Sequence, residues 1–139
     1  IQSHFYPEGL LTDVPPAPDV LGDIDFGWTI AKTLADLDLG QTVVIKDRAV
    51  VALEGMEGTN ETIKRGGRLA GKGIVVVKVG RSVQDMSIDV PAAGIETLRN
   101  LVRVKAAALC IEAGKVPLFQ KDEVITLAKA NGIAVIVKK

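Results

Sequence analysis

From residue 73 onward, short apolar runs alternate with amphipathic stretches. "GIVVVKV" (73–79) is a near-continuous β-branched run, the pattern of a strand covered on both faces. Residues 93–104 then read as a helix and "AALCI" (107–111) as a strand. Residues 121–131 read as a helix ending near Gly132, and "IAVIVK" (133–138) as a final strand. This βαβαβ succession predicts a parallel sheet with right-handed crossovers. Upstream, "TVVIKDRAVVALEG" holds two apolar runs around Asp47-Arg48. A two-residue loop there makes a β-hairpin, although Asp-Arg is weaker turn chemistry than Asp-Gly. The expected fold class is α/β: a mixed, mostly parallel sheet with a leading β-hairpin and helices on both faces.

Two further helices precede the parallel part. Asp19 is placed to cap a helix through about Asp38, with Ile24, Trp28, Ala31, Leu34, Ala35 and Leu37 recurring at three and four. Gly40 fits its stop. A second helix should run from Thr59 or Asn60 to about Leu69, capped by either side chain, with Glu61 suiting the positive end of its dipole. Residues 1–18 carry four of the six prolines and no periodicity, so they read as a linker or extended arm ahead of a domain at 19–139. The chain starts with Ile1 rather than Met, which fits part of a longer protein.

Composition narrows the chemistry. Apolar residues make up 47% of the 139, enough to bury a core. Lys plus Arg and Asp plus Glu are both 17, and a net charge of zero argues against a nucleic-acid partner. Cys110 is the single cysteine, so no internal disulfide forms, and its apolar run reads as buried. No apolar stretch approaches the roughly 20 residues of a membrane span, and no signal peptide opens the chain. Cytosolic placement fits best. His4 is the one histidine and sits in the arm, against a histidine-centred triad or zinc site. Carboxylates plus a hard cation remain as the available catalytic chemistry.

In open α/β sheets, ligands bind outside the carboxyl ends of the strands. Three polar clusters fall there: "EGMEGTN" (54–60), "KVGRSVQDMSID" (78–89) and "EAGK" (112–115). Asp85 and Asp89 stand four apart. In an extended strand that is about 13 Å, whereas oxygens on one Mg²⁺ lie about 2.1 Å from it. Either the segment bends, or the aspartates have separate roles; a solvated turn is the plainer alternative. In "EGMEGTN", one reading has Gly55 and Gly58 supply positive φ and Thr59 or Asn60 serve only as a cap. Alternatively, free N–H groups at that helix start face a phosphate. It is not a Walker A loop, since Gly-Lys-Ser/Thr is missing. Lys46, Lys78 and Arg81 are candidate phosphate partners. Lys78 stands out as the charged residue of an apolar strand, unless its stem packs and its ammonium simply reaches water.

Taken in order, "DIDFGWTIAKTL", "LDLGQTVVIKDRAVVALEGMEGTNETIKRGG" and "GIVVVKVGRSVQDMSIDVPAAGIETL" resemble the C-terminal domain of the LpxI-type UDP-2,3-diacylglucosamine pyrophosphatases, from about Leu10 to the end. The resemblance implies Mg²⁺-dependent hydrolysis of a nucleotide-linked acylated sugar, giving UMP and 2,3-diacylglucosamine 1-phosphate in lipid A synthesis. It implies water attack on the sugar-side phosphorus, and a substrate held between this domain and an N-terminal domain missing from the chain. Peripheral contact with the inner membrane and homo-oligomer formation stay open. By the same resemblance the acidic motif falls on Gln84, Asp85 and Asp89, the turn on Glu54, Glu57, Gly58 and Thr59, and the strand lysine on Lys78. Asp85 and Asp89 would ligate the metal or, with Glu57, position water. Glu54, Gly58, Thr59, Lys78, Arg81 and Gln84 would contact substrate. The sequence departs from the family pattern at Ser87 (usually arginine), Asn60 (commonly aspartate) and Arg81-Ser82 (often Lys-Pro). Those departures favour one alternative, a non-catalytic nucleotide- or phosphosugar-binding domain; a structural or dimerisation module of a larger protein is the other rival.

Overall fold

The computed structural model describes residues 4–83 and 91–139. Its strands are β1 (Gly9–Leu10), β2 (Thr42–Lys46), β3 (Ala49–Leu53), β4 (Val75–Lys78), β5 (Ala108–Glu112) and β6 (Ala134–Lys138). Its helices are α1 (Pro18–Asp36), α2 (Thr59–Ala70), α3 (Ile95–Arg103) and α4 (Lys121–Ala130). All six strands form one mixed sheet in the order β1-β6-β5-β4-β2-β3. The βαβαβ half pairs in parallel, β4 with β5 and β5 with β6. The hairpin joins antiparallel, β2 lying against β4, and β1 closes the other side antiparallel to β6.

Strand alternation sorts the side chains onto two faces. Val43, Ile45, Val75, Val77 and Cys110 meet Ile24, Ala31 and Leu34 of α1. Val44, Val76, Leu109 and Val135 meet Ile63 of α2, Leu98 and Leu101 of α3, and Val124 of α4. Both faces are covered, so the central strands are apolar except at their ends, where Thr42, Lys78 and Glu112 are buried polar residues. Each of these large aliphatic side chains contributes about 1.5–3 kcal/mol on burial. Cys110 is fully inside, and burial pushes its thiol up to about 12.

Several local details differ from the sequence expectation. Helix α1 begins at Pro18, with Ala17 as N-cap and no side-chain cap. Proline needs no N–H there, and Asp19 lies in the first turn. The helix stops at Leu37, ahead of Gly40. Glycine at 40 has another reason: a Cβ there would lie 2.0 Å from the Glu54 carbonyl oxygen. The proline-rich arm is extended and engaged. Beyond β1, the Val135 N–H donates to the buried Thr12 hydroxyl at 3.2 Å.

The Asp47-Arg48 turn forms despite its chemistry. Both residues adopt positive φ, 50° and 62°, as a type I′ turn requires. Asp23 of α1, 4% exposed, accepts the Asp47 and Arg48 N–H groups at 3.1 and 2.8 Å and pairs with the Arg48 guanidinium at 2.9 Å. A buried carboxylate from another element thus holds the turn in place of glycine. Among the described residues, no helix is long and apolar enough to cross a membrane.

Candidate functional site

Strands β3, β4, β5 and β6 end on one side of the molecule, where β2 begins. Thr42 and Lys78 are direct partners in the β2–β4 ladder, so their side chains emerge together. By alternation they point to the face covered by α2. Helix α2 starts at Thr59 immediately above them. The Lys78 ammonium donates to the Thr59 hydroxyl at 2.8 Å and to the Ala92 carbonyl at 2.7 Å. The Thr59 hydroxyl lies 3.2 Å from the Thr42 hydroxyl.

Lys78 is 7% exposed. Burial lowers its pKa from the ordinary lysine value, and Glu54 partly opposes that shift. Its described acceptors are both neutral oxygens. A buried ammonium in that setting favours a nearby anion, a part that Glu54 fills only partly. The helix start adds positive potential. Gly58, the N-cap, has φ 89° and no side-chain cap follows it. Neither Thr59 nor Asn60 therefore caps the helix. The sequence alone could not show that the Thr59 hydroxyl is turned down toward the sheet instead.

The two glutamates of the turn are engaged. A Glu54 oxygen accepts the Gln41 N–H at 2.9 Å. Glu57 pairs with Arg65 and accepts the Gly55 N–H at 2.8 Å. The Arg65 hydrogen bond, aided by that N–H, holds the Glu57 carboxyl at about 2. It stays ionised at neutral pH and is a weak base. Arg65 also donates to the Leu53 carbonyl at 2.8 Å, tying the turn to the end of β3.

On the opposite face, four side chains grip the backbone leaving β4. Lys32 donates to the Gly80 carbonyl at 2.7 Å and pairs with Glu112 at 3.0 Å. The Gly80 N–H donates to the same carboxylate at 3.0 Å. Asp36 accepts both the Ser82 N–H and the Ser82 hydroxyl at 2.7 Å, and these bonds hold its carboxyl below the usual range. Lys115 donates to the carbonyls of Arg81 and Ser82 at 2.7 and 3.0 Å. None of these four was singled out from the sequence for this role. Their signal there was faint: Glu112 and Lys115 fall in the third polar cluster.

Of the sequence candidates, Glu54, Gly58, Thr59 and Lys78 gather on the α2 side. Arg81 lies beyond the strand end, its guanidinium 3.9 Å from Asp38. Lys46 lies at the other end of β2, where it donates to the carbonyls of Ala70 and Lys72 at 3.0 and 2.7 Å and closes the end of α2. It is not a partner of Lys78. Gln84, Asp85, Ser87 and Asp89 lie outside the described residues. Among the described residues, no three His, Cys, Asp or Glu side chains gather to hold a metal ion.

The family model for the LpxI C-terminal domain matches residues 7–136. The chain is also 30% identical over 138 residues to the UDP-2,3-diacylglucosamine pyrophosphatase LpxI of Caulobacter vibrioides. That match covers 94% of this chain and 49% of the relative, so the chain spans about half the relative's length. A crystal structure of the CBS and DRTGG domains from the regulatory region of Clostridium perfringens pyrophosphatase, in complex with diadenosine tetraphosphate, matches at a TM-score of 0.27 and 21% identity. It covers 94% of this chain and 69% of that one. A likeness that low carries no inference.

Proposed function

The chain belongs to the LpxI C-terminal domain family, and on that premise we propose that it supplies the pyrophosphate-recognising part of a UDP-2,3-diacylglucosamine pyrophosphatase. The observation that carries this reading is the buried Lys78 ammonium beneath the start of α2. It lies where the strands of an α/β sheet end and where a helix presents free N–H groups. A pyrophosphate is an anion that suits both.

The proposed reaction is hydrolysis to UMP and 2,3-diacylglucosamine 1-phosphate. A water oxygen bonds to the sugar-side phosphorus. The bond from that phosphorus to the bridging oxygen breaks, and UMP leaves. Negative charge builds on the phosphoryl oxygens and the leaving oxygen. Lys78, Thr59 and the first N–H groups of α2 are placed to meet it without reorganising. Arg81 and Gln84 are the remaining proposed substrate contacts, with Glu54 and Gly58 shaping the turn.

The described carboxylates do not make up a Mg²⁺ site, because Glu54 and Glu57 are held by Gln41, Gly55 and Arg65. We place the ion on Asp85 and Asp89. When bound, Mg²⁺ would neutralise charge on the pyrophosphate. Glu57, held at about 2 by Arg65 and the Gly55 N–H, is a weak base. Positioning of water therefore falls to Asp85 or Asp89, with Glu57 as a fixed negative charge on the rim.

The test is hydrolysis of UDP-2,3-diacylglucosamine with Mg²⁺ by the protein carrying this domain, following UMP release. Asp85→Asn and Asp89→Asn should each lower turnover by about a hundredfold or more, the scale of losing a catalytic base or charge stabiliser. Near-native turnover in both variants would remove the aspartates from the reaction. Substrate binding without UMP release by the unaltered protein would leave a binding domain.

A further inference from the structure

The protons of the Thr42–Thr59–Lys78 network can be placed by elimination. A hydroxyl has one proton to donate and two lone pairs to accept with, whereas an ammonium only donates. Lys78, 2.8 Å away, therefore occupies one lone pair of the Thr59 oxygen. The 3.2 Å contact between the two hydroxyls allows either direction. Suppose Thr59 donated to Thr42. The Thr42 proton would then have no acceptor among the described residues, on a residue that is 0% exposed. A buried donor left unsatisfied is strongly disfavoured. With Thr42 donating, both lone pairs of Thr59 are filled. Among the described residues, the one unused proton then belongs to Thr59, which is half-buried.

We propose that Thr42 is a positioning residue that turns the Thr59 hydroxyl proton outward, making Thr59 a hydrogen-bond donor to a phosphoryl oxygen of the bound pyrophosphate. The proposal rests on the function proposed above and adds a division of labour to it. Thr42 does not touch the ligand. Two donors pulling on the Thr59 oxygen also polarise its O–H bond, which strengthens the donation. The β2–β4 register makes this possible, because it sets Thr42 beside Lys78 under the same helix residue.

The probe is inorganic pyrophosphate, titrated calorimetrically into this chain. Thr42→Val keeps the shape and removes the hydroxyl. It should weaken binding about fivefold, part of the one to two decades that a hydrogen bond to a charged group supplies. Thr42→Ser should restore binding to within about twofold, since it returns the same donor. Thr59→Val should weaken binding more than Thr42→Val, and the double variant should bind no worse than Thr59→Val alone. Undiminished binding by folded Thr42→Val overturns the positioning role and leaves the anion site standing. No pyrophosphate binding by the unaltered chain overturns both. Proton NMR of the unaltered chain gives a check independent of ligand and of variant folding: the exchange-protected hydroxyl proton should belong to Thr42. A protected proton on Thr59 directed at Thr42 overturns the proposal.

Discussion

The Lys32 ammonium of α1 lies 3.0 Å from the Glu112 carboxylate at the end of β5, and both grip Gly80, one through its carbonyl and the other through its N–H. Glu112 is 7% exposed. Its removal leaves the Gly80 N–H without its acceptor and the Lys32 ammonium without its counter-charge, bonded only to the Gly80 carbonyl. Glu112→Ala should therefore lose about 3 kcal/mol of stability, the lower end for breaking a buried pair. Glu112→Gln keeps an oxygen for Gly80 and should lose less. Urea denaturation of the two variants checks the order. Equal stability in both would mean that Gly80 gains nothing from this acceptor.

Lys78 should show the reverse. Burial lowers its pKa, so the folded chain holds its ammonium at a disadvantage. Between the lowered value and the ordinary 10.5, the unfolded chain binds more protons than the folded one. Stability gains from this group as pH rises through that window. Lys78→Met should keep or raise the melting temperature at neutral pH, lack that alkaline gain, and bind pyrophosphate at least about tenfold more weakly. Melting curves at several pH values, paired with calorimetry, measure both effects. A variant that melts far below the unaltered chain at neutral pH would make the ammonium a net structural support.

Asp23 is the third test. Asp23→Ala strips the acceptor from two turn N–H groups and from Arg48. The expected loss is about 2 kcal/mol, in the range for buried groups left unsatisfied. Adding Asp47→Asn and Arg48→Gly to Asp23→Ala should recover part of it, because Asn-Gly adopts the positive φ values unaided. Failure of the repaired turn to recover any stability would show that Asp23 acts elsewhere than on the hairpin.

The strands and helices were legible because their signals are local. "GIVVVKV" and "IAVIVK" carry their burial in their own composition, and the helix faces repeat at three and four. Lys78 also stood out, as a charge in an apolar strand. What the sequence concealed depends on partners far along the chain. Thr59 looks like a helix cap until β2 and β4 are laid side by side beneath it. Asp-Arg looks like a poor turn until Asp23 arrives from α1. The Gly9–Leu10 strand is too short to show any period, and pairing with β6 alone defines it. Lys46 stayed a candidate beside Lys78 because the direction of its strand was unknown; the antiparallel placement of β2 puts the two at opposite ends of the sheet.

The pairing of Thr42 with Lys78 across β2 and β4 has a consequence for how such a site can change over time. Side chains in a strand alternate between faces, so shifting β2 by one residue against β4 would carry Thr42 to the α1 side and bring Val43 under Thr59. The arrangement therefore cannot drift by small steps. A single-residue insertion or deletion in either strand that no bulge absorbs would dismantle it, whereas length changes before Gly40 in the connection between α1 and β2 leave the register whole. The polar triad is inherited as a ladder register, all or nothing, and its history should be written in the strands rather than in the loops around them.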